Sequence, residues 1–298
     1  MKIGFSLPQF GRHAHQASSI PRFARELEEA GAHSLWVGDR LFAPVNPTVG
    51  YGGADTIPEL FNSPLDPFVA LTLAASATER VRLGSNVINA PFYQPVLLAR
   101  LLSSIDIASN GRLTPGFGIG WSPEEYQALG VPFNHRGARL DETLDALENI
   151  WTSDQPAYQG TYVTVPEFRN ELHSTQKPHA PVYLAGFAEP ALKRVARRAA
   201  GWLPVLAVGR SGPEFIIRTR ETLSRLAEEI DRDPATIDVI LRVNVLAGTP
   251  LPQVAAEVLD AVRQTGIEDL FVDLAYLSET VEDELEQAHE LLGLLNAG

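Results

Sequence analysis

Residues 81–120, VRLGSNVINAPFYQPVLLARLLSSIDIASNGRLTPGFGIG, hold a complete strand–helix–strand unit. Val81–Val87 is a β-rich, mostly apolar run. Pro95–Ser109 reads as a helix that stops at Asn110-Gly111, a pair that punctuates helices. Arg112–Ile119 is a second β-rich run, in which Gly116 and Gly118 weaken the strand character. Near-continuous apolar strands alternating with helices are the mark of parallel strands covered on their outer face.

The alternation continues in both directions. Upstream lie the strand Lys2–Leu7, a helix from Ser18 to Ala30 with Ser18 or Ser19 as cap, and the strand His33–Val37. Asp66-Pro67 then opens a helix to about Thr78, with Asp66 as N-cap. Downstream lie the helix Leu140–Trp151 and the strands Val182–Ala185, Trp202–Ala207, Thr236–Leu246 and Asp269–Leu274, with helices opening near Pro190, Pro213, Pro252 and Glu279. Ala157–Val165 alternates Tyr, Thr and Val and reads as a small ribbon outside the main sheet.

Eight strand–helix units in 298 residues predict an α/β fold, a (β/α)8 TIM barrel forming one domain over residues 1–298. An open doubly wound sheet is the rival, and no Gly-x-Gly-x-x-Gly follows the first strand to support it. Two long segments, from Gly38 to about Leu65 and from Gly120 to about Gly137, are insertions after strands two and four.

Apolar residues make up 45 % of the chain and charged residues 20 %, enough to build a large core. The net charge of −13 repels polyphosphate and anionic lipid, so neither nucleic acid nor a membrane surface is an expected partner. The absence of cysteine excludes disulfides, thiolate metal sites and a cysteine nucleophile. No apolar run reaches the ~18 residues of a membrane span and the first residues lack a signal peptide, so a cytoplasmic location is expected.

In such a barrel the active site lies at the C-terminal ends of the strands. Asp39 and Arg40 end the second strand, where an acid can orient a substrate or cap the loop. Asn86, Val87 and Asn89 close the third; their amides fit either the edge of a pyrimidine-like ring or turn chemistry before Pro91. Gly116, Gly118, Ile119, Gly120 and Trp121 close the fourth, where glycines suit either a close ligand approach or a bulge. Ala185, Gly186 and Phe187 lead from the fifth strand into a helix, which fits a phosphate-binding turn or an ordinary tight connection. Phe61, Phe92, Trp121 and Phe187 are candidate apolar walls, and His13 or His15 can face the pocket. No histidine–acid pattern of a zinc site, no nucleophile elbow and no P-loop is present, so no metal is expected.

The segments LGSNVINAPFYQPVLLA (83–99), GFGIGWSPEEYQALG (116–130), Arg136–Trp151 and Tyr183–Trp202 resemble the bacterial luciferase-like family of flavin- and deazaflavin-dependent oxidoreductases, most closely its coenzyme F420-dependent branch. The resemblance implies a cofactor ring in the mouth, against a bulge that often holds a non-proline cis peptide, here Asn86-Val87. It implies a cofactor wall at Gly118, Ile119 and Gly120, a phosphate turn at Ala185, Gly186 and Phe187, and a pocket residue at Asp39. Asp39, Arg40 and Trp121 are the candidate catalytic positions. A homodimer is implied as well.

The chain departs from the family's sugar-phosphate dehydrogenases, which carry a His after the second-strand Asp and a Glu after the fourth-strand Gly. Arg40 and Trp121 stand there, which puts that acid/base pair and sugar-phosphate oxidation in doubt. The usual acid before the Gly-Trp of the sixth strand is Ala200. Hydride transfer between F420 and a small organic substrate is the expected activity. The alternatives are a monooxygenase using reduced FMN and dioxygen, or a non-catalytic flavin-binding protein. An F420 tail would need a basic groove, for which Arg136, Arg139, Arg169 and Lys177 are candidates.

Overall fold

A computed structural model describes residues 1–210 and 212–297. In chain order the first half comprises β1 (Lys2–Ser6), α1 (Ile20–Glu29), β2 (Ser34–Val37), α2 (Pro67–Ala77), β3 (Arg82–Ser85), β4 (Ile88–Asn89), α3 (Pro95–Ala108), β5 (Leu113–Thr114) and β6 (Gly116–Gly118). There follow α4 (Pro123–Ala128), α5 (Arg136–Thr152), β7 (Tyr158–Gln159), β8 (Thr164–Val165), β9 (Tyr183–Leu184) and α6 (Glu189–Arg198). The last part holds β10 (Gly201–Trp202), β11 (Val205–Ala207), α7 (Glu214–Glu228), β12 (Asp238–Val239), β13 (Leu241–Asn244), α8 (Leu251–Thr265), β14 (Asp269–Asp273) and α9 (Val281–Ala297).

Four of the eight expected strands are each split in two. The third breaks at Asn86-Val87, which is a cis peptide, and the seventh at Ile240. The fourth and sixth break at Pro115 and at Leu203-Pro204, because proline has no N–H to give a ladder. Taken with their breaks, the strands pair in parallel all the way round. β1 lies between β2 and β14, β2 pairs with β3, and β3 and β4 pair with β5 and β6. β6 pairs with β9, β9 with β10, β10 and β11 with β12 and β13, and β13 with β14. Every neighbour in the ring of eight is present, which is a closed (β/α)8 barrel. β7 and β8 form the antiparallel ribbon outside it.

Asp66 caps α2 as its sequence requires, accepting from the backbone N–H of Phe68 and Val69. The expected serine cap of α1 is different. A 3-10 stretch, Gly11–Ser19, runs straight into the helix, so Ser19 is itself near-helical and makes no capping bond. α5 starts at Arg136, four residues earlier than its apolar spacing marks.

One core fills the space between strands and helices. A second, inside the barrel, consists of Trp36, Tyr183, Leu203, Ile240 and Phe271. Trp36 stacks on Phe271 with centroids 4.6 Å apart and occupies the space beside its register partner Gly84. A Cβ on Gly84 would lie 2.3 Å from the Trp36 ring. Among the described residues no helix is long and apolar enough to cross a membrane.

Candidate active site at the barrel mouth

The insertion after β2 is pinned at its base and again at the mouth. Gln9, just after β1, donates to the carbonyls of Gly38 and Leu65, both at 2.7 Å, and accepts from the Gly38 N–H at 2.8 Å. Farther up, α4 holds the loop with two adjacent acids. The buried Glu125 accepts from Leu41 N–H at 2.7 Å, and its other oxygen lies 3.3 Å from Arg40 Nη1. Glu124, more exposed, accepts from Thr48 N–H at 2.7 Å, and hydrogen bonding to Thr48, first from its side chain and then from this N–H, lowers its pKa to about 2. Burial instead raises the pKa of Glu125, against the pull of Arg40.

Arg40 is buried beneath Trp121, whose ring centroid lies 4.2 Å from its guanidinium carbon, and it also donates to the Phe42 carbonyl. Tyr51 and Phe61 complete this aromatic roof. Arg40 is thus occupied in holding Trp121 and α4 against the loop, and its Nε is buried without a partner.

Asp39 turns toward the third strand. Its Oδ2 accepts from Asn89 N–H at 2.8 Å and its Oδ1 from Tyr93 Oη at 3.1 Å, while Asn89 Nδ2 donates to the Asp39 carbonyl. Burial is the largest influence on the carboxyl and raises its pKa from 3.8 to about 7. A carboxyl whose folded pKa is raised favours folding below its unfolded pKa and loses that contribution as pH climbs toward the folded value. The stability of Asp39→Asn relative to the natural chain should therefore rise between pH 4 and 8, by on the order of 4 kcal/mol. Urea unfolding of both proteins across that range measures it, and parallel curves would refute the assignment.

Val87, Asn86 and Asn244 frame the mouth from opposite walls. Asn86 Nδ2 is a buried donor without an acceptor, and Asn244 Oδ1 a buried acceptor without a donor. An unpaired buried polar atom is costly, and two of opposite sense suit a flat ligand whose edge carries both C=O and N–H. The glycines of the fourth strand have a different explanation from open ligand space. A Cβ on Gly116 would lie 2.1 Å from the Ser85 carbonyl, and one on Gly118 2.5 Å from Val87 Cγ2. They let the third and fourth strands close on each other. Gly120 has φ +68° and sits against Phe92 and Asn89. Tyr126 on α4 donates to the Ile119 carbonyl beside it.

Across the mouth, Gly186 has φ +138° and packs on Ala191, and its carbonyl accepts from Trp202 Nε1 at 3.0 Å. Ala188, the N-cap of α6, has no side-chain acceptor; Pro190 carries no N–H and Ala191 donates to the Ala188 carbonyl at 2.8 Å, which leaves the Glu189 N–H for water or an anion. Phe187 is 39 % exposed and touches Phe215. The four candidate wall residues therefore fall into three groups. Phe61 and Trp121 are in the roof, Phe92 lies against Tyr126, and Phe187 is on the far rim.

His13 does not serve the mouth. Its Nδ1 lies 3.0 Å from Glu284 Oε2 on α9, and both side chains are buried. Of the basic candidates, Arg136 and Arg139 stack on Phe133 and Tyr162 at the start of α5. Lys177 lies at the opposite end of the barrel, in a cavity with Trp151, His179 and Ala200, so it cannot line a groove at the mouth. Arg169 follows the same course, between segments bonded to Pro156 and Asp154 past the end of α5. No group of three or more metal-ligating side chains occurs among the described residues.

Gln9, Glu125, Arg242 and Asp273 are mouth residues that the sequence reading did not single out. Arg242 and Asp273 had a signal: polar side chains at alternate, inward-facing positions of apolar strands.

A sequence profile of the luciferase-like monooxygenase family matches residues 1–293. The chain is 31 % identical over 185 residues to the uncharacterized protein Rv0953c of Mycobacterium tuberculosis, a match covering 60 % of this chain and 65 % of that protein. It is 26 % identical over 256 residues to an F420-dependent glucose-6-phosphate dehydrogenase of Amycolatopsis mediterranei, covering 78 % and 70 %. It is 29 % identical over 160 residues to the oxygenase component of the flavin-dependent trigonelline monooxygenase of Acinetobacter baylyi, covering 53 % and 40 %. The crystal structure of monooxygenase RslO1 from Streptomyces bottropensis superposes with a TM-score of 0.81 at 19 % identity, covering 100 % of this chain and 99 % of that one.

Proposed function

The chain belongs to the luciferase-like monooxygenase family, which includes F420-dependent and FMN-dependent enzymes, and on that premise we propose that it is an F420-dependent oxidoreductase acting on a small organic substrate. The observation that carries this reading is the pair of buried, unpaired amide atoms, Asn86 Nδ2 and Asn244 Oδ1, at the strand tips of the mouth. They fit the polar edge of a deazaflavin or flavin ring. F420 is preferred over FMN because the F420-dependent relative matches 78 % of this chain and the flavin-dependent oxygenase 53 %.

The chemistry supplied by the bound deazaflavin is two-electron hydride exchange. Asn86 and Asn244 would orient the ring, Val87 would back it, and the Glu189 N–H at the start of α6, with the turn at Gly186, would hold its phosphate. Tyr51, Phe61 and Trp121 roof the space and exclude water, so the substrate is small and largely apolar. Asp39 and Arg40 act by holding the third strand and the roof, because each is already fully engaged by protein groups apart from the Arg40 Nε. Sugar phosphates are poor candidates, since Arg40 and Trp121 replace the His and Glu of those dehydrogenases. A homodimer belongs to the same proposal, supported by exposed Val69, Val96, Leu97 and Ile107 on the outer faces of α2 and α3.

Fluorescence titration of the purified protein with oxidised F420 and, separately, with FMN tests the cofactor. Micromolar affinity for F420, at least about tenfold tighter than for FMN, is expected, with Asn86→Ala weakening F420 by about five- to tenfold. Binding of neither below millimolar concentration overturns the reading. Tighter FMN binding with oxygen uptake by the reduced flavin replaces it with the monooxygenase alternative, and binding without turnover on a substrate panel replaces it with a flavin-binding protein.

A further inference from the structure

In a ring of eight strands, the third and the seventh face each other across the barrel axis. Arg242 on β13, two residues below Asn244 and on the same face, spans that distance. Its Nη2 donates to Asp273 Oδ2 at 2.6 Å, and its Nη1 donates to the Asn86 carbonyl at 3.0 Å. Its Nε is buried and meets no acceptor. The side chain is 13 % exposed and that of Asp273 6 %. A small void of about 10 Å³ is lined by Arg242, Asn86 and Asp273 together with Ser6, Trp36 and Phe271. The Asn86 N–H in turn donates to the Val37 carbonyl at 2.8 Å. Both sides of the Asn86 backbone are therefore held, one by the adjacent strand and one by an arginine from the opposite wall.

We infer that Arg242 is a positioning residue, which fixes the Asn86 carbonyl from across the barrel and so sets the direction in which the Asn86 side-chain amide meets the bound ring. The inference rests on the proposed function for the identity of that ring, and on the geometry alone for the brace. A stability role is a poor account of the pair, because a buried ion pair gains little over well-packed apolar residues. The planar fork of arginine serves Asp273 and Asn86 at once through separate nitrogens, and a lysine ammonium reaches such divergent acceptors poorly. Asp273 orients the fork, and its other oxygen is 3.3 Å from the Ala275 N–H. Small displacements of a positioning group have large effects on a bound reactant.

Two variants test the brace, Arg242→Lys and the double variant Arg242→Met with Asp273→Asn, which avoids leaving a buried carboxylate unpaired. Tyr183→Phe is the control; it removes the 2.9 Å bond to Asp238 at the other end of the barrel. Amide hydrogen exchange without any ligand is read first. Exchange at residues 86–89 should speed up about tenfold in the lysine variant and more in the double variant, and not in the control. F420 titration should then show affinity lowered about tenfold and about a hundredfold, respectively. On turnover, kcat should fall more than KM rises, with the lysine variant partly rescued. Unchanged exchange at residues 86–89 in a folded double variant overturns the inference, as does a control that loses as much affinity as the double variant. If the natural chain binds no F420 while the exchange result holds, the cofactor assignment falls and the brace stands.

Discussion

Alanine at Gly84 is expected to lower the stability of the protein by about 3 kcal/mol or more, a fall in Tm of roughly 6–12 °C. The added Cβ would meet Trp36 Cε3 and Cζ3 at 2.3 Å, and Trp36 has nowhere to move. It is fully buried, stacks on Phe271, and its Nε1 donates to Ser34 Oγ at 2.8 Å. Gly4 on the other flank is equally closed, since its Cβ would lie 2.2 Å from that same Ser34 oxygen. The second strand thus sends Ser34 and Trp36 inward against Gly4 and Gly84, positions of the flanking strands that carry no side chain. Calorimetry of Gly84→Ala measures the cost. Trp36→Phe introduced into the same chain should recover part of it, because the smaller ring vacates the clash, so the two changes should couple by more than 1 kcal/mol. Simple additivity would show that the barrel interior accommodates the methyl elsewhere.

Removal of the Glu125 carboxylate is expected to detach the roof from the mouth. Glu125→Ala leaves the Arg40 guanidinium buried without its acid and Leu41 N–H without its acceptor. Breaking one half of a buried pair costs about 3–5 kcal/mol. Here the strain can be relieved locally, by release of residues 38–66, because that segment is held by Gln9, Glu124 and Glu125 more than by regular structure. The measurable consequence is trypsin cleavage after Arg40, faster by about a hundredfold, with a smaller change in Tm. Glu125→Gln keeps the acceptor for Leu41 and should sit between the two. Arg40→Ala combined with Glu125→Ala should cleave elsewhere and be more stable than Glu125→Ala alone, since no charge is then stranded. A Glu125→Ala protein cleaved at the natural rate would show that α4 does not hold the loop.

The barrel was legible because its signals are local. Asp66-Pro67 and Asn110-Gly111 mark helix ends through the chemistry of a few neighbouring residues, and apolar runs mark strands. The places where strands break were half legible: Pro115 and Pro204 carry their own reason, and Ile240 carries none. The site was harder to read. Glu124 and Glu125 are neighbours of the same type at the start of one helix, yet one is half-buried and the other fully buried on Arg40. Only the return of the loop after β2 distinguishes them. Gly116 and Gly118 fit either a close ligand approach or a crowded bulge on sequence alone, and in the structure a Cβ on either would meet Ser85, Leu203 or Val87. Asn86 was marked from its place at a strand end. Arg242, which holds it, lies far away in sequence, and its reach across the axis depends on the ring being closed.

The pairing of β1 with β14, in which Lys2 is the register partner of Asp269, sets a delay on biosynthesis. At about 5–20 residues per second, Lys2–Ser6 waits on the order of 15–50 s for its second neighbour to leave the ribosome. Throughout that interval the nascent chain carries an open, parallel-pairing edge of apolar backbone. Yield in a host cell should therefore depend on chaperone capacity and on slow, cool expression more steeply than the stability of the finished protein would suggest.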